Sequence, residues 1–136
     1  MTLCDASALI ALLYAKDRDH ARCLAILPYI TEPLVTTWPC LAETMHILGR
    51  YGGWQAQQAL WNYIEVKVLV LRQQDELEQQ RMQVLMEKYR DIPMDLGDAS
   101  LVAAAEAMDQ RLVFTLDRDF HIYRFHGNCS FHIVPR

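Results

Sequence analysis

Residues 3–14 read LCDASALIALLY, a very short apolar run followed by an acid and then by a stretch rich in Ala and Leu. The apolar run predicts a short strand, residues 6–14 predict a helix, and Asp5 is placed to cap that helix. The same order of apolar run and helical stretch recurs along the chain. Strands separated by helices indicate a parallel sheet with helices on both faces, which is an α/β fold.

The remaining predicted strands are short apolar or β-branched runs, at residues 34–37, 66–71, 112–115 and 131–134. The remaining predicted helices cover residues 19–29, a Pro39-led helix ending near the glycines at 49–53, and residues 54–63, 73–90 and 101–108. In the polar helix 73–90, the expected inner positions are Leu77, Val84, Leu85 and Tyr89. The helix 101–108 is apolar on most sides, so it is expected to be central. We predict one α/β domain over residues 1–136.

The composition indicates a folded chain with a sizeable core. The 136 residues are 52% hydrophobic and 22% charged, which argues against disorder. No window is long and apolar enough to span a bilayer, and the first residues lack the basic region of a signal peptide, so we expect a soluble, cytoplasmic protein. Four cysteines without a C-x-x-C pair argue against zinc and against a disulfide framework, and they fit a reducing compartment.

Acidic residues follow predicted strands or open predicted helices at four places. Asp5 and Asp117 follow strands, Glu43 lies one turn into the helix after residues 34–37, and Asp98 opens the Ala-rich helix. Ligands of open parallel α/β sheets bind outside the carboxyl ends of the strands, so these four acids can converge on one crevice. Four carboxylates in one crevice repel unless a cation holds them together, and oxygen ligands suit Mg²⁺ or Mn²⁺. Such an ion can orient and deprotonate a water and stabilise a phosphodiester under in-line attack.

Each of these acids also has an ordinary structural explanation. Asp5 can serve only as a helix cap, and Asp98 can be a first-turn acid with Asp95 as the cap. Glu43 can be a solvated helix acid, and Asp117 can simply form the turn after a strand. Singly these explanations are the better ones for most of the acids, and for Asp5 capping and metal binding fit equally well. Four of them at four strand-end positions together favour a shared site.

Four short segments resemble the PIN domain, and in particular the VapC-type toxins of bacterial toxin–antitoxin pairs. They are LCDASALI at 3–10, Ala42-Glu43 after the Pro-led helix start, GDASLVA at 97–103, and FTLDRDF at 114–120. Their order and spacing match the family over essentially the whole chain. The resemblance implies a three-layer α/β/α fold with a central parallel sheet. It also implies an endoribonuclease that depends on Mg²⁺ or Mn²⁺ and acts as the toxin of a type II pair.

The resemblance further assigns roles to individual residues. The family's catalytic and metal-binding acids are all present and fall on Asp5, Glu43, Asp98 and Asp117. Asp5 and Asp98 would be the principal metal ligands, with Asp119 as a fifth candidate ligand. Ser7 and Thr115 match small hydroxyl positions that hold a ligand or water in place, with ordinary capping as the alternative.

RNA contact is expected from a local basic patch, because the chain carries a net charge of −4 and has no global attraction for nucleic acid. The best candidate is residues 111–136, in which Arg118 and Arg124 are the predicted RNA-binding residues. Aromatic rings interleave with these bases and are candidates for stacking on RNA bases: Phe120, Tyr123 and Phe125. The alternative is a solvated face over core aromatics.

The resemblance also implies protein partners. VapC-like proteins form homodimers and are held inactive by a small antitoxin whose tail covers the acidic crevice. Trp38, Trp54 and Trp61 are expected in the core or in dimer contacts rather than as platforms for base stacking.

Functions of other classes fit less well. A receiver-like signalling domain needs a Lys after a late strand, and none follows residues 112–115. A haloacid-type phosphatase would need an acid two residues after Asp5, where Ser7 stands. The alternative that the sequence leaves open is a non-catalytic PIN-fold binding module, which loss of activity on Asp98→Asn would exclude.

Overall fold

The computed structural model describes residues 1–30 and 33–136. The strands in this part of the chain are β1 (Thr2–Cys4), β2 (Leu34–Thr37), β3 (Leu69–Arg72), β4 (Leu112–Phe114), β5 (Arg124–Phe125), β6 (Cys129–Ser130) and β7 (His132–Val134). The α-helices are α1 (Ala6–Leu13), α2 (His20–Ile26), α3 (Trp38–Glu65), α4 (Glu76–Lys88) and α5 (Leu96–Met108). Single 3₁₀ turns span Leu27–Tyr29 and Arg118–His121.

Five strands form one parallel sheet in the order β3-β2-β1-β4-β7. The first strand is central, with Leu3 opposite Val35 on one side and Val113 on the other. The carboxyl ends of β1, β2 and β4 are therefore neighbours at one edge of the sheet. The backbone N–H of Asp5 donates to the carbonyl of Phe114 and extends this pairing past the end of β1.

Alternate residues of the strands face two separate cores. Leu3, Val35 and Val113 belong to the core beneath α4 and α5, whereas Cys4 and Phe114 belong to the core beneath α1, α2 and α3. Because both faces of the sheet are covered, both sets of strand residues are apolar. The three-layer α/β/α fold predicted from the sequence is confirmed, and α5 is the central helix, as expected.

Acidic side chains cap three of the helices. Asp5 accepts a hydrogen bond from the N–H of Ala6 at 2.8 Å, which starts α1 immediately after β1. Asp95 accepts from the N–H of Asp98 at 2.8 Å and starts α5, as predicted for this residue. Asp75 caps α4 in the same way. Each cap satisfies a backbone donor that the first helical turn leaves unpaired, and the caps of α1 and α5 start these helices beside the sheet edge.

The predicted break in the third helical region lies at Gly53. The chain is helical from Trp38 to Glu65, except that Gly53 has φ 70° and ψ −166°. Two helical segments therefore meet at this glycine, which agrees with the prediction of two helices separated by the glycines at 49–53.

No helix in the described residues is long and apolar enough to cross a membrane.

Several local predictions are wrong. Leu77 and Val84 of α4 are 74% and 52% exposed, while Glu78 and Met82 take inner positions beside the correctly predicted Leu85 and Tyr89. The four inner residues are spaced three or four apart and so form one helix face, which leaves Leu77 and Val84 outside it. On that face Glu78 forms an ion pair with Arg72 at the end of β3. The short hairpin of β5 and β6 was not predicted. Cys129 is half-buried, although the other three cysteines are buried, as expected.

Candidate active site

Three carboxylates meet at the carboxyl edge of the sheet. Asp5 follows β1, Asp117 follows β4, and Asp98 lies in the first turn of α5. Each offers one oxygen, and the three oxygens lie within 4.8 Å of one another. They meet because β1 and β4 are adjacent parallel strands and α5 starts beside their ends. The positions of these acids in the sequence predict that they converge, and the structure places the three together.

Two hydroxyl groups hold Asp5 in place. Its Oδ2 accepts hydrogen bonds from Ser7 Oγ at 2.9 Å and from Thr115 Oγ1 at 2.8 Å. The N–H of Asp117 donates to the same Thr115 hydroxyl at 3.0 Å, which ties the loop after β4 to Asp5. Burial raises the pKa of Asp5, and these hydrogen bonds oppose that rise by favouring the charged form. The resemblance implied that these two hydroxyls hold a ligand or water in place, and in the structure both contact the candidate ligand Asp5.

Asp98 is held by a buried tyrosine. The hydroxyl of Tyr123 donates to Asp98 Oδ2 at 2.7 Å. The ring of Tyr123 is fully buried, with the rings of Tyr89 and Phe120 each 5.1 Å away in edge-on contact. The pKa of Asp98 is raised to about 8, chiefly by burial; the hydrogen bond from Tyr123 opposes the rise, and the charges of Asp5, Asp95 and Asp117 contribute to it. Without a cation, Asp98 is protonated at neutral pH.

Glu43 lies at the rim of the same cavity, whose volume is about 280 Å³. It comes from the first part of α3, and its carboxylate lies close to Gly97 at the start of α5. A Cβ atom built on Gly97 would be 3.5 Å from Glu43 Oε2. Burial raises the pKa of Glu43, and the charges of Asp95, Asp5 and Asp117 add to the rise. Asp95 lines the cavity as well as capping α5, a second role that the sequence analysis did not assign.

Asp117 and Asp119 are separated by the turn between them. The N–H of Asp119 donates to Asp117 Oδ1 at 2.9 Å, so Asp117 starts the 3₁₀ turn that carries Asp119. Asp117 belongs to the group of three carboxylates and lines the cavity. Among the residues that the structure describes, Asp119 neither belongs to this group of carboxylates nor lines the cavity. The geometry thus favours Asp117 as the ligand contributed by this loop.

The chemistry of the donors fits a hard divalent cation. Buried carboxylates that lie this close repel one another, and no Lys or Arg forms an ion pair with any of the three in residues 1–30 and 33–136. Carboxylate oxygens are the ligands that Mg²⁺ and Mn²⁺ prefer. Asp5, Asp98 and Asp117 could therefore hold such an ion, with Glu43 beside it.

The predicted RNA-binding residues lie in different surroundings. Arg118 is exposed and lines a second cavity that also contains Asp117. Arg124 is half-buried, and its guanidinium donates to the carbonyls at 121, 122 and 123, which ends the 3₁₀ turn.

The aromatic predictions are corrected by the burial of the rings. Three rings proposed for base stacking are buried in the core and cannot stack on RNA: Phe120, Tyr123 and Phe125. The contact of Tyr123 with Asp98 could not be predicted, because no local pattern marks a contact between residues 25 positions apart. Conversely, the tryptophans are not core residues. All three are exposed: Trp38, Trp54 and Trp61.

Comparisons with known proteins agree with this geometry. The family model described as PIN domain matches residues 2–125. Ribonuclease VapC26 of Mycobacterium tuberculosis is 26% identical over 132 residues, which cover 96% of this chain and 98% of the relative.

Two solved structures have the same fold. The crystal structure of M. tuberculosis VapC20, described as a Sarcin-Ricin loop cleaving toxin, superposes with a TM-score of 0.81 and 18% identity, over 88% of this chain and 92% of that one. A toxin–antitoxin complex from Klebsiella pneumoniae gives a TM-score of 0.67 and 18% identity, over 88% and 90%. The resemblance to VapC-type toxins noted in the sequence is confirmed, and the chain belongs to the PIN domain family.

Proposed function

We propose that this protein is an endoribonuclease that depends on Mg²⁺ or Mn²⁺ and serves as the toxin of a type II toxin–antitoxin pair. The observation that carries the proposal is the meeting of the Asp5, Asp98 and Asp117 carboxylates in one cavity with Glu43 at its rim. The similarity to ribonuclease VapC26 along nearly the whole chain supports the choice of RNA as substrate.

In this proposal, some residues of the site bind the cation and others orient its ligands. Asp5, Asp98 and Asp117 would hold the cation, with Asp5 oriented by Ser7 and Thr115. A bound divalent cation supplies Lewis acidity that activates water and offsets the charge of the phosphodiester. Cleavage of this kind is expected to leave 5′-phosphate and 3′-hydroxyl ends.

Glu43 is assigned the proton transfer. Its side chain is exposed at the rim of the cavity, and none of the described residues donates a hydrogen bond to its carboxylate. A carboxylate at the rim without an internal donor is free to accept a hydrogen bond, and then a proton, from a water in the cavity. In this proposal Glu43 orients the attacking water and accepts its proton at a carboxylate oxygen.

Protein partners are part of the proposal. The Klebsiella structure is a toxin–antitoxin complex, which supports an antitoxin partner for this chain. Trp54 and Trp61 are exposed and lie seven residues apart, so they share one face of the second segment of α3. Exposed aromatic pairs of this kind are typical of surfaces that a protein partner covers. We include a homodimer and a cytoplasmic location in the proposal.

The test is cleavage of total cellular RNA by the purified protein, with the new 5′-phosphate ends mapped by sequencing. The protein is assayed with Mn²⁺, with a chelator, and as the Asp98→Asn variant. Asp109→Asn is the matched control, because Asp109 ends the same helix with φ 52°, which Asn tolerates, and its side chain is 88% exposed.

We expect cleavage with Mn²⁺ by the wild type and by Asp109→Asn. The chelator and Asp98→Asn are each expected to lower the rate of cleavage by about 100-fold or more. Loss of a metal ligand should cost more activity than loss of a residue that only orients a ligand. Cleavage that persists undiminished in Asp98→Asn would contradict the assigned site. A protein that binds RNA but creates no new ends under any condition would instead be a non-catalytic PIN-fold module.

A further inference from the structure

A second cavity, with a volume of about 240 Å³, adjoins the carboxylate cavity and shares Asp117 with it. Its lining includes Arg22 of α2, Arg118 and His121 of the 3₁₀ turn, and Arg136 after β7. We call this cavity the basic pocket. Three segments that are distant in sequence thus bring basic residues to one side of the carboxylates.

Two of the pocket's arginines, Arg118 and Arg136, have side chains free to bind a ligand, whereas Arg22 is held by internal contacts. In the described part of the chain, the side chains of Arg118 and Arg136 form no hydrogen bond or ion pair, and both residues are exposed. The guanidinium of Arg22 donates to the backbone carbonyl of Arg136, and its Nη1 lies 3.7 Å from Asp19 Oδ1. Asp117, at the border with the carboxylate cavity, is the acidic side chain of the lining.

Among the described residues, no cationic side chain lines the carboxylate cavity itself. Apart from its acids, its lining consists of Ala6, Ser7, Ile10 and Ile47, none of which carries a positive charge. A strand that crosses the carboxylates toward Asp117 therefore passes from a lining without positive charge into the basic pocket. On a chain with a net charge of −4, this local asymmetry determines where a polyanion can lie.

We propose that the basic pocket binds a backbone phosphate next to the bond that is cut, with Arg118 and Arg136 as its phosphate ligands. This inference rests on the proposed nuclease function and adds a substrate-binding site to it. The planar guanidinium of Arg donates paired hydrogen bonds to phosphate oxygens, so it suits this ligand. One anchored phosphate on one side fixes the direction in which the strand crosses the carboxylates.

The experiment measures RNA binding without cleavage. Asp98→Asn protein in chelator is titrated into a short labelled single-stranded RNA without terminal phosphates, and fluorescence anisotropy is recorded over a series of salt concentrations. Arg118→Gln and Arg136→Gln are added singly and together to this parent. Arg90→Gln is the matched control, because Arg90 is also exposed but lies after α4, outside both cavities.

We expect the double variant to bind RNA about 10-fold more weakly, and the slope of log affinity against log salt to flatten by ~0.7 for each phosphate that the protein no longer neutralises. The control should change neither quantity. DNA of the same sequence should respond to the substitutions as RNA does, because the pocket recognises phosphate rather than the sugar.

Three results would overturn the assignment of the pocket. In the first, the double variant matches Arg90→Gln in affinity and salt dependence. In the second, the parent binds no RNA at low salt. In the third, an acidic peptide titrated in the same way binds the arginine variants more weakly, whereas RNA does not. The outcome is separable from the nuclease proposal. Cleavage that needs metal and Asp98 while the arginine variants bind like the control would refute the pocket alone.

Discussion

The hydroxyl of Tyr123 occupies a position from which it can orient Asp98. Its ring is fully buried between Tyr89 and Phe120, so packing fixes the ring, and the 2.7 Å hydrogen bond then fixes the carboxylate. Burial raises the pKa of Tyr123 well above its ordinary value, and the bond to Asp98 adds to the rise. The phenol therefore stays protonated and remains a donor, which makes Tyr123 a positioning residue for this carboxylate.

Tyr123→Phe should weaken Mn²⁺ binding, because it removes the donor that orients Asp98 and leaves that carboxylate without its partner. We expect the Mn²⁺ affinity, measured by the electron paramagnetic resonance signal of the free ion, to fall by about 10-fold. Tyr89→Phe is the control, since it also removes a hydroxyl from this ring cluster. The hydroxyl of Tyr89 does not contact Asp98 but accepts a hydrogen bond from the N–H of Arg124. Each variant is expected to lose about 1 kcal/mol of stability. Equal Mn²⁺ affinities in the two variants would show that Tyr123 has a structural role only.

Local sequence could predict the acids of the site, because each of them stands at a strand end or in a first helical turn. Asp5 and Asp117 follow adjacent parallel strands, so sheet topology alone brings them together. Tyr123 could not be predicted in its role, because its partner is 25 residues away and is reached through packing. In sequence, a ring beside Arg124 has the same pattern whether it stacks on RNA or lies in the core.

At the scale of the elements, the errors occur where tertiary contacts override local patterns. Leu77 and Val84 have the apolar character of inner positions, but the face of α4 that packs into the core is the one that carries Met82 and Leu85. Glu78 lies on that face and is paired with Arg72. The hairpin of β5 and β6 was missed for another reason. Its strands have two residues each, which is too short to show any periodicity.

Gly53→Ala should destabilise the protein through its backbone. Gly53 has φ 70° and ψ −166°, a region open essentially to glycine, whereas a Cβ atom there would contact nothing within 4 Å. The expected cost is therefore conformational strain of about 1–3 kcal/mol, measured by urea unfolding. Gly53→Asn should cost a similar amount, because this backbone conformation lies outside the left-handed helical region that Asn tolerates. A marked advantage of Asn over Ala would contradict the observed backbone geometry.

At the scale of the whole molecule, folding concentrates negative charge at one edge of the sheet. Burial is the largest cause of the raised pKa at Asp5, Glu43 and Asp98, and repulsion between neighbouring carboxylates adds to it in each case. The fold is therefore stabilised locally by whatever neutralises these groups, which is either a proton or a cation. This links the stability of the entire domain to pH and to divalent metal.

The metal-free protein should lose stability as pH rises. The pKa of Asp98 is about 8 in the folded protein against an ordinary value of 3.8, so between these values the folded state holds a proton that the unfolded state releases. The resulting stabilisation is complete below about pH 4 and is lost as pH rises through about 8. In chelator, the Tm at pH 8 should lie roughly 5 °C or more below that at pH 6.

Two further conditions make this expectation specific to the carboxylates. Asp98→Asn should flatten the dependence of Tm on pH, since an amide needs no proton to be neutral, whereas Asp109→Asn at the exposed end of α5 should leave it unchanged. Mn²⁺ should raise the Tm most at pH 8, where no proton competes for Asp98. A Tm in chelator that stays constant or rises from pH 6 to 8 would contradict a raised pKa of Asp98 in the metal-free fold.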